Sequence, residues 1–320
     1  MASSILFTLG ARGSPLALAQ ARETRKKLAL AHGWDEDAIA LRVIRTSGDL
    51  IQDRPLAEAG GKGLFTKEID AALLEGRIDA AVHSAKDLPT LIPEGVAIAG
   101  FLEREDVRDA LISAVADSFL ALPPGARLGA ASLRRQAQAL RLRPDLRVEL
   151  LRGNVETRLR KAESGEIDAT LLALAGLKRL RLAHRARAVL DVETFLPAVG
   201  QGAIALTARS ADARALQALA AIGHADTMTA LTAERAFLAE LEGSCRTPIA
   251  GYARLEAGAL ILTGQVLREN GSESFDVRLA GAPADAARLG AEAGRDLKRR
   301  LPPGVLPAGK GAGSAGAGSD

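Results

Sequence analysis

The chain has one cysteine in 320 residues, one tryptophan, one tyrosine and four histidines. A single cysteine excludes an internal disulfide and fits a reducing compartment. Aromatics are 3% of the residues, too few for a surface that stacks the bases of single-stranded nucleic acid. The scattered histidines and the lone cysteine give no close metal-ligand spacing, so no metal is expected. No apolar run is long enough to span a bilayer. The opening residues lack a basic leader and meet Arg12 early, so no secretion signal is read and a cytoplasmic location is expected. The net charge of +3 is too small for a protein that coats nucleic acid.

What is present is an ordinary globular composition, 48% hydrophobic and 25% charged, with enough length for two or three domains. Of 42 basic residues 33 are arginine, whose planar fork matches carboxylates and phosphates. Position, not number, carries that signal. Strand-like runs at 5–9, 41–46, 79–83 and 96–101 alternate with helical patterns at about 15–31 and 66–75. The pattern then begins again, with strands at 111–115, 127–131, 147–151 and 168–173 and helices starting near Ser132 and Asn154. This reads as two βα-type domains with mainly parallel sheets. An internal echo supports a duplication: Gly76, Ile78 and Asp79 recur as Gly165, Ile167 and Asp168, and Leu9-Gly10 recurs as Leu128-Gly129. One more strand at 203–208, a helix over 227–241, three alternating runs at 249–255, 259–267 and 274–280 and a closing helix at 283–300 imply a third, α+β domain with a three-stranded antiparallel sheet. The glycine-rich end, 305–320, reads as a disordered tail.

Four loop-to-helix junctions carry the cations. Arg12 precedes Ser14, a natural N-cap, and Pro15, so an anion fits beside free backbone N–H groups. Lys62 sits in a glycine loop before Phe65, with the wrong spacing for a Walker loop. Ser132 caps a helix whose first turn holds Arg134 and Arg135, where the helix dipole disfavours cations. Arg152 precedes the cap Asn154, with Arg158 one turn on. Each alone reads as a solvated surface charge, but together they describe a polyanion site at the strand ends. A fifth turn carries Ser84, Lys86 and Asp87, and a carboxylate there can stabilise a developing cation or move a proton. Cys245, followed by Arg246, suits either a small buried side chain or a thiolate for covalent attachment.

The chain resembles the hydroxymethylbilane synthase (porphobilinogen deaminase) family over about residues 5–300. It carries RGSPLALAQ, TSGD, GGKGLFTKEI, DAAVHSAKDLP, SLRRQ, LRGNVETRL, AGLKRL, LPAVGQGA and a Gly-Ser-Cys loop in family order. The resemblance implies two similar domains like type II periplasmic binding proteins, 1–102 with 203–221 and 107–197, and a third at 225–304. It implies a dipyrromethane cofactor on Cys245 through a thioether, to which four porphobilinogens are added with loss of ammonia before hydrolysis releases 1-hydroxymethylbilane. Asp87 is the implied catalytic carboxylate. Lys62, Ser84, Lys86, Asp49, Ser132, Arg134 and Arg135 are implied cofactor contacts, and Arg12, Ser14, Phe65, Arg152, Arg158 and Arg179 substrate contacts. Glu58, Ala130 and Ala131 depart from the family pattern. A monomer is implied, with no nucleic-acid or membrane partner. A solute receptor or the effector domain of a regulator would share the two-lobed basic cleft, but would not account for the cysteine loop.

Overall fold

The structure is a computed structural model, described here for residues 4–50, 63–241 and 247–306. The first elements are β1 (Phe7–Arg12), α1 (Pro15–His32), β2 (Ile39–Ile44), the single turn α2 (Ser47–Leu50), α3 (Lys67–Leu74), β3 (Ala80–Ser84) and β4 (Val96–Phe101). There follow β5 (Asp109–Ser113), β6 (Arg127–Ala130), α4 (Leu133–Leu142), β7 (Arg147–Leu150), α5 (Val155–Glu163), β8 (Ala169–Ala173), α6 (Leu174–Arg179) and β9 (Ala188–Val189). The chain continues through β10 (Ile204–Arg209), α7 (Ala213–Ala220), α8 (Ala225–Glu240), β11 (Ile249–Glu256), β12 (Ala259–Leu267), β13 (Ser274–Gly281) and α9 (Ala286–Arg300).

Three sheets result, ordered β2-β1-β3-β10-β4, β7-β6-β8-β5-β9 and β11-β12-β13. In the first, β1 runs parallel to β2 and β3, while β10 is antiparallel to β3 and β4. In the second, β6 is parallel to β7 and β8, and β5 is antiparallel to β8 and β9. Each five-stranded sheet therefore has four strands running one way and one reversed, as the expectation of mixed, mainly parallel sheets requires. The reversed strand is in both cases the one that follows a crossing between the sheets. The third sheet is antiparallel throughout, with α8 and α9 closing over Leu260, Leu262 and Val266.

The internal echo is a structural repeat. Asp79 accepts the backbone N–H of Thr8 at 2.7 Å, and Asp168 accepts that of Arg127 at 2.7 Å. A Cβ on Gly10 would come within 2.4 Å of the Ile78 side chain, and one on Gly129 within 2.7 Å of Ile167. In both halves the same glycine lets the same isoleucine cross the strand. Sequence patterning overlooked β9, α6 and α7. The first is two residues long, and α6 follows β8 with no intervening polar turn to mark a new element. Val305, with which the expected tail begins, is buried in the core shared by α8, α9 and the third sheet, and Leu306 packs against that core; the rest of that tail is outside the described residues.

Two segments cross between the five-stranded sheets, 102–108 and 190–203, and both are tied to α8 by one carboxylate. Glu234 is fully buried. It accepts hydrogen bonds from Arg104 at 2.6 and 3.2 Å and from the backbone N–H groups of Gly200 and Ala253, each at 2.7 Å. Burial of a carboxylate is tolerable only with such saturation. Glu234→Ala strips the half-buried Arg104 charge of its carboxylate, leaving it the carbonyls of Gln201 and Ala253, and orphans two N–H groups, so denaturant unfolding should show a loss of about 3–5 kcal/mol. A loss below about 1 kcal/mol would remove Glu234 from this role.

Candidate active site

β1 and β3 run parallel, and Arg12 and Ser84 end them at the same edge of the first sheet. There α1 begins, its first turn capped by Ser14, whose hydroxyl accepts the Ala17 N–H at 3.3 Å. Arg12, Ser14, Phe65, Ser84 and Asp87 line one cavity of about 60 Å³, with Gln20 and His83 on its wall. Residues separated by up to 75 positions in the chain are thereby collected. Arg12 directs its fork at Asp49, with Nη2 and Nε within 2.5 and 3.2 Å of Oδ1, and its guanidinium lies 4.1 Å from the centre of the Phe65 ring. Gly48 lets the ring in, since a Cβ there would lie 2.4 Å from it. Burial raises the Asp49 carboxyl, but hydrogen bonds from Arg12 and Thr46 outweigh it and hold the group below its ordinary range.

Asp87 stands on the other side of Arg12. Its carboxylate is 3.7 Å from Arg12 Nη1, an ion-pair separation but too long for a hydrogen bond. Among the described residues its side chain accepts no hydrogen bond, so its acceptor capacity faces the cavity. His83, behind it, is buried and contacts Thr207 Oγ1 at 3.2 Å. Burial, and then the Arg12 charge, push its imidazole down to about 4, so it is neutral near pH 7. Ser84 is held by Gln20, whose amide donates to its hydroxyl at 3.0 Å.

Across the cleft, Ser132 caps α4 and the two arginines of its first turn meet the fully buried Asp109 at the start of β5. Arg134 Nη2 lies 2.7 Å and Arg135 Nη2 2.6 Å from its two oxygens. Burial alone would raise Asp109; the two guanidinium charges drive it well below the carboxylate range. This answers the dipole conflict read from the sequence, because the cations at the helix start rest on a buried anion. One carboxylate cannot neutralise two arginines, and Lys86 adds a third charge. Its side chain is open to the cleft, yet protein walls remove much of the bulk water around it. That desolvation, followed by repulsion from Arg135 and partly opposed by Asp87 and Asp109, pushes its ammonium down to about 8. Arg158 feels desolvation and then Arg135 and Arg152, against the pull of Asp87, and falls to about 10. Lys86, Arg135, Arg152, Arg158 and Asp87 thus share one electrostatic neighbourhood with a surplus of positive charge.

Arg179 is placed differently from the rest. It ends α6, donating to Glu23 Oε2 and to the carbonyl of Gly202, each at 3.1 Å. Lys62 and Cys245 lie outside the described residues. Sequence reasoning missed Asp109, Gln201, Gln20 and His83. Gln20, His83 and Gln201 sit inside motifs already singled out, whereas Asp109 lies outside them and acts on partners farther along the chain. Gln201 donates to the Val107 carbonyl at 2.7 Å and to Asp109 at 3.2 Å, and its amide oxygen faces Lys86 Nζ at 3.5 Å.

Residues 7–217 match the family model described as porphobilinogen deaminase, dipyromethane cofactor binding domain, and residues 228–299 match the porphobilinogen deaminase C-terminal domain. The chain belongs to the porphobilinogen deaminase family. Relatives named porphobilinogen deaminase from Nitrobacter hamburgensis and Nitrobacter winogradskyi are each 57% identical over 298 residues, covering 93% of this chain and 94% of theirs. Among solved structures, an ABC transporter periplasmic substrate-binding protein from Coxiella burnetii aligns over 68% of this chain and 92% of its own, at 15% identity and a TM-score of 0.44. The first porphobilinogen deaminase model spans every described candidate site residue, and the second spans Cys245. Porphobilinogen deaminases are transferases, and the match to a cofactor-binding domain brings dipyrromethane with it. Among the described residues no helix is long and apolar enough to cross a membrane, and no group of three or more potential metal ligands occurs.

Lys86 gives a direct check on this electrostatic picture. In the adduct-free Cys245→Ser protein, reductive ¹³C-methylation followed by NMR titration should show one lysine signal with a midpoint near 8, absent when Lys86→Gln is added; a midpoint close to 10.5, the ordinary lysine value, would mean that the cleft does not crowd it.

Proposed function

We propose that this site joins four porphobilinogen molecules head to tail, releasing ammonia at each addition, on a dipyrromethane held by a thioether to Cys245. Hydrolysis then frees 1-hydroxymethylbilane. The observation that carries the reading is the open carboxylate of Asp87, set 3.7 Å from Arg12 within a cleft that otherwise holds a surplus of cations.

The residues fit the cofactor by their chemistry. Each pyrrole ring brings an acetate and a propionate, and the cleft offers Lys86, Arg135, Arg152 and Arg158, with Asp87 and Asp109 among the carboxylates that oppose them. Arg134 Nε is buried without a hydrogen-bond partner among the described residues, a group that an additional acceptor would satisfy. When bound, dipyrromethane supplies the free pyrrole α-carbon at which growth starts. Lys86, Ser84, Ser132, Arg134, Arg135 and Lys62 hold its acidic substituents, and Asp49 fixes Arg12 at the border of the cleft. Arg12, Ser14, Arg152, Arg158 and Arg179 receive the carboxylates of the incoming substrate, and Phe65 packs against its ring.

Asp87 then has two tasks that one carboxylate can perform. Its oxygens accept pyrrole N–H groups and stabilise the positive charge that develops as ammonia departs. The aminomethyl group departs as ammonia from its protonated form, and the same oxygens take the proton lost by the carbon that has formed the new bond and pass it to the released ammonia, which restores the carboxylate for the next addition. Arg12 stands at ion-pair separation from Asp87, without a hydrogen bond that would consume its acceptor capacity. The surrounding cations counter the charge that accumulates as each pyrrole adds two more carboxylates. We further propose that the catalytic unit is a cytoplasmic monomer, divided into 1–102 with 203–221, 107–197 and 225–304.

Intact mass spectrometry of the purified chain should find it heavier by one dipyrromethane, with no adduct on Cys245→Ser; an unmodified and fully active wild type would overturn the anchoring role. Asp87→Asn should keep the adduct and lose about 10²-fold or more in turnover. Near-normal porphobilinogen consumption by that variant would remove Asp87 from the chemistry.

A further inference from the structure

Arg179 belongs to the proposed carboxylate-binding set and is already engaged by a carboxylate of the opposite lobe. It ends α6, which follows β8 of the second sheet, while its partner Glu23 lies on α1 against the first. The arginine side chain is 8% exposed and the glutamate 35%. Nε donates to Glu23 and Nη1 to the Gly202 carbonyl, each at 3.1 Å; Nη2 has no hydrogen bond among the described residues. An arginine fork with one edge satisfied and one N–H₂ group left over can receive a second carboxylate or exchange the first.

The place of Glu23 on α1 links this pair to the reacting centre. Leu16, Gln20 and Glu23 recur at helical spacing along one stripe of the helix. Leu16 and Gln20 line the cavity that holds Arg12 and Asp87, and Gln20 also fixes Ser84. Leu16 meets α6 directly, since a Cβ on Gly176 would touch it at 3.4 Å. Glu23 therefore continues the cavity wall by one turn, to the point where α6 packs on α1. The neighbouring cation of α6, Lys178, is committed elsewhere: it lies 2.8 Å from Glu105 and 3.7 Å from Asp106 on the crossing segment. Releasing Glu23 would leave that attachment intact.

We propose that Glu23 is a positioning residue that occupies Arg179 as a resident carboxylate and latches α6 to α1 until an acidic group of the substrate or growing chain displaces it. The inference rests on the functional reading above. A partly exposed ion pair is the kind that competing carboxylates break, so the latch holds the lobes together in the free enzyme and yields as acidic groups accumulate. Each displacement exchanges one carboxylate for another on the same guanidinium, so no charge is stranded and α6 is free to separate from α1 as the product lengthens.

The test compares wild type, Glu23→Gln and Glu23→Asp, all carrying the cofactor, by steady-state kinetics and by hydrogen exchange without substrate. In Glu23→Gln the KM for porphobilinogen should fall about threefold with kcat within about twofold, because the competitor for Arg179 has gone. Amide exchange over 174–181 should rise severalfold, and Glu23→Asp should restore both values towards wild type. An unchanged or raised KM, or unchanged exchange at α6, would overturn the latch. If Glu23→Gln folds poorly, Glu23→Ser removes the same carboxylate and is read the same way. Wild-type protein that consumes no porphobilinogen would count against the functional reading itself, whereas an active wild type with an indifferent Glu23→Gln counts against the latch alone.

Discussion

Asp109 is one negative charge, buried at the start of β5, that has to hold two arginines. Arg134 and Arg135 sit at 2.7 and 2.6 Å from its oxygens, in the first turn of α4, where the helix dipole opposes them. The pairing makes burial of the arginines tolerable without neutralising them. Lys86, Arg152 and Arg158 surround the same point, so the floor of the cleft keeps a positive surplus that desolvation would expel if no anion were expected. Desolvation first, and this imbalance second, depress Lys86 and Arg158, and the surplus suits an acidic, multiply carboxylated ligand. Asp87 is meaningful against this background, as an open carboxylate amid cations.

The fold keeps these charges at one place. Two repeated α/β lobes present equivalent strand ends to one cleft, and two crossing segments join them. Glu234 anchors both segments to α8 through Arg104, Gly200 and Ala253, so the third lobe grips the connections. Gln201, on one of those segments, touches Asp109 and faces Lys86. The joint between the lobes is thus in contact with the binding floor. The α1–α6 contact is a second, weaker point of attachment, and it is made through a residue that the cleft itself uses.

Much of this was legible in the chain. The N-caps Ser14, Ser132 and Asn154 mark helix starts that the structure places where expected, because capping is a local hydrogen bond to residues two or three positions on. The repeated Gly–x–Ile–Asp turns announced a duplication that appears as matched Asp79–Thr8 and Asp168–Arg127 contacts. The cavity draws together Arg12 and Ser84, the last residues of their strands, with Ser14, Phe65 and Asp87 from the segments between strands and helices. What stayed hidden depends on long-range pairing. Asp109 looks like any strand-terminal aspartate until α4 is folded over it, and Glu234 looks like an exposed helical acid until Arg104, 130 positions away, reaches it. Arg179 was read as a substrate contact by its motif, while its partner Glu23 gives no sign in the sequence of facing another lobe. The reversed strands β5 and β10 were equally opaque, since strand direction is set by topology and not by residue pattern.

The central claim is that one open carboxylate works within a cation-rich pocket that holds the acidic substituents of a pyrrole chain. A crystal structure of the chain as purified, with its covalent group in place, tests it most directly. The account predicts continuous density from the Cys245 sulfur to two pyrrole rings, their carboxylates in hydrogen-bond contact with Lys86 and Arg135 and a ring N–H on Asp87. A dipyrrole lying away from Asp87, or carboxylates turned to solvent with Lys86 and Arg135 unengaged, would contradict it.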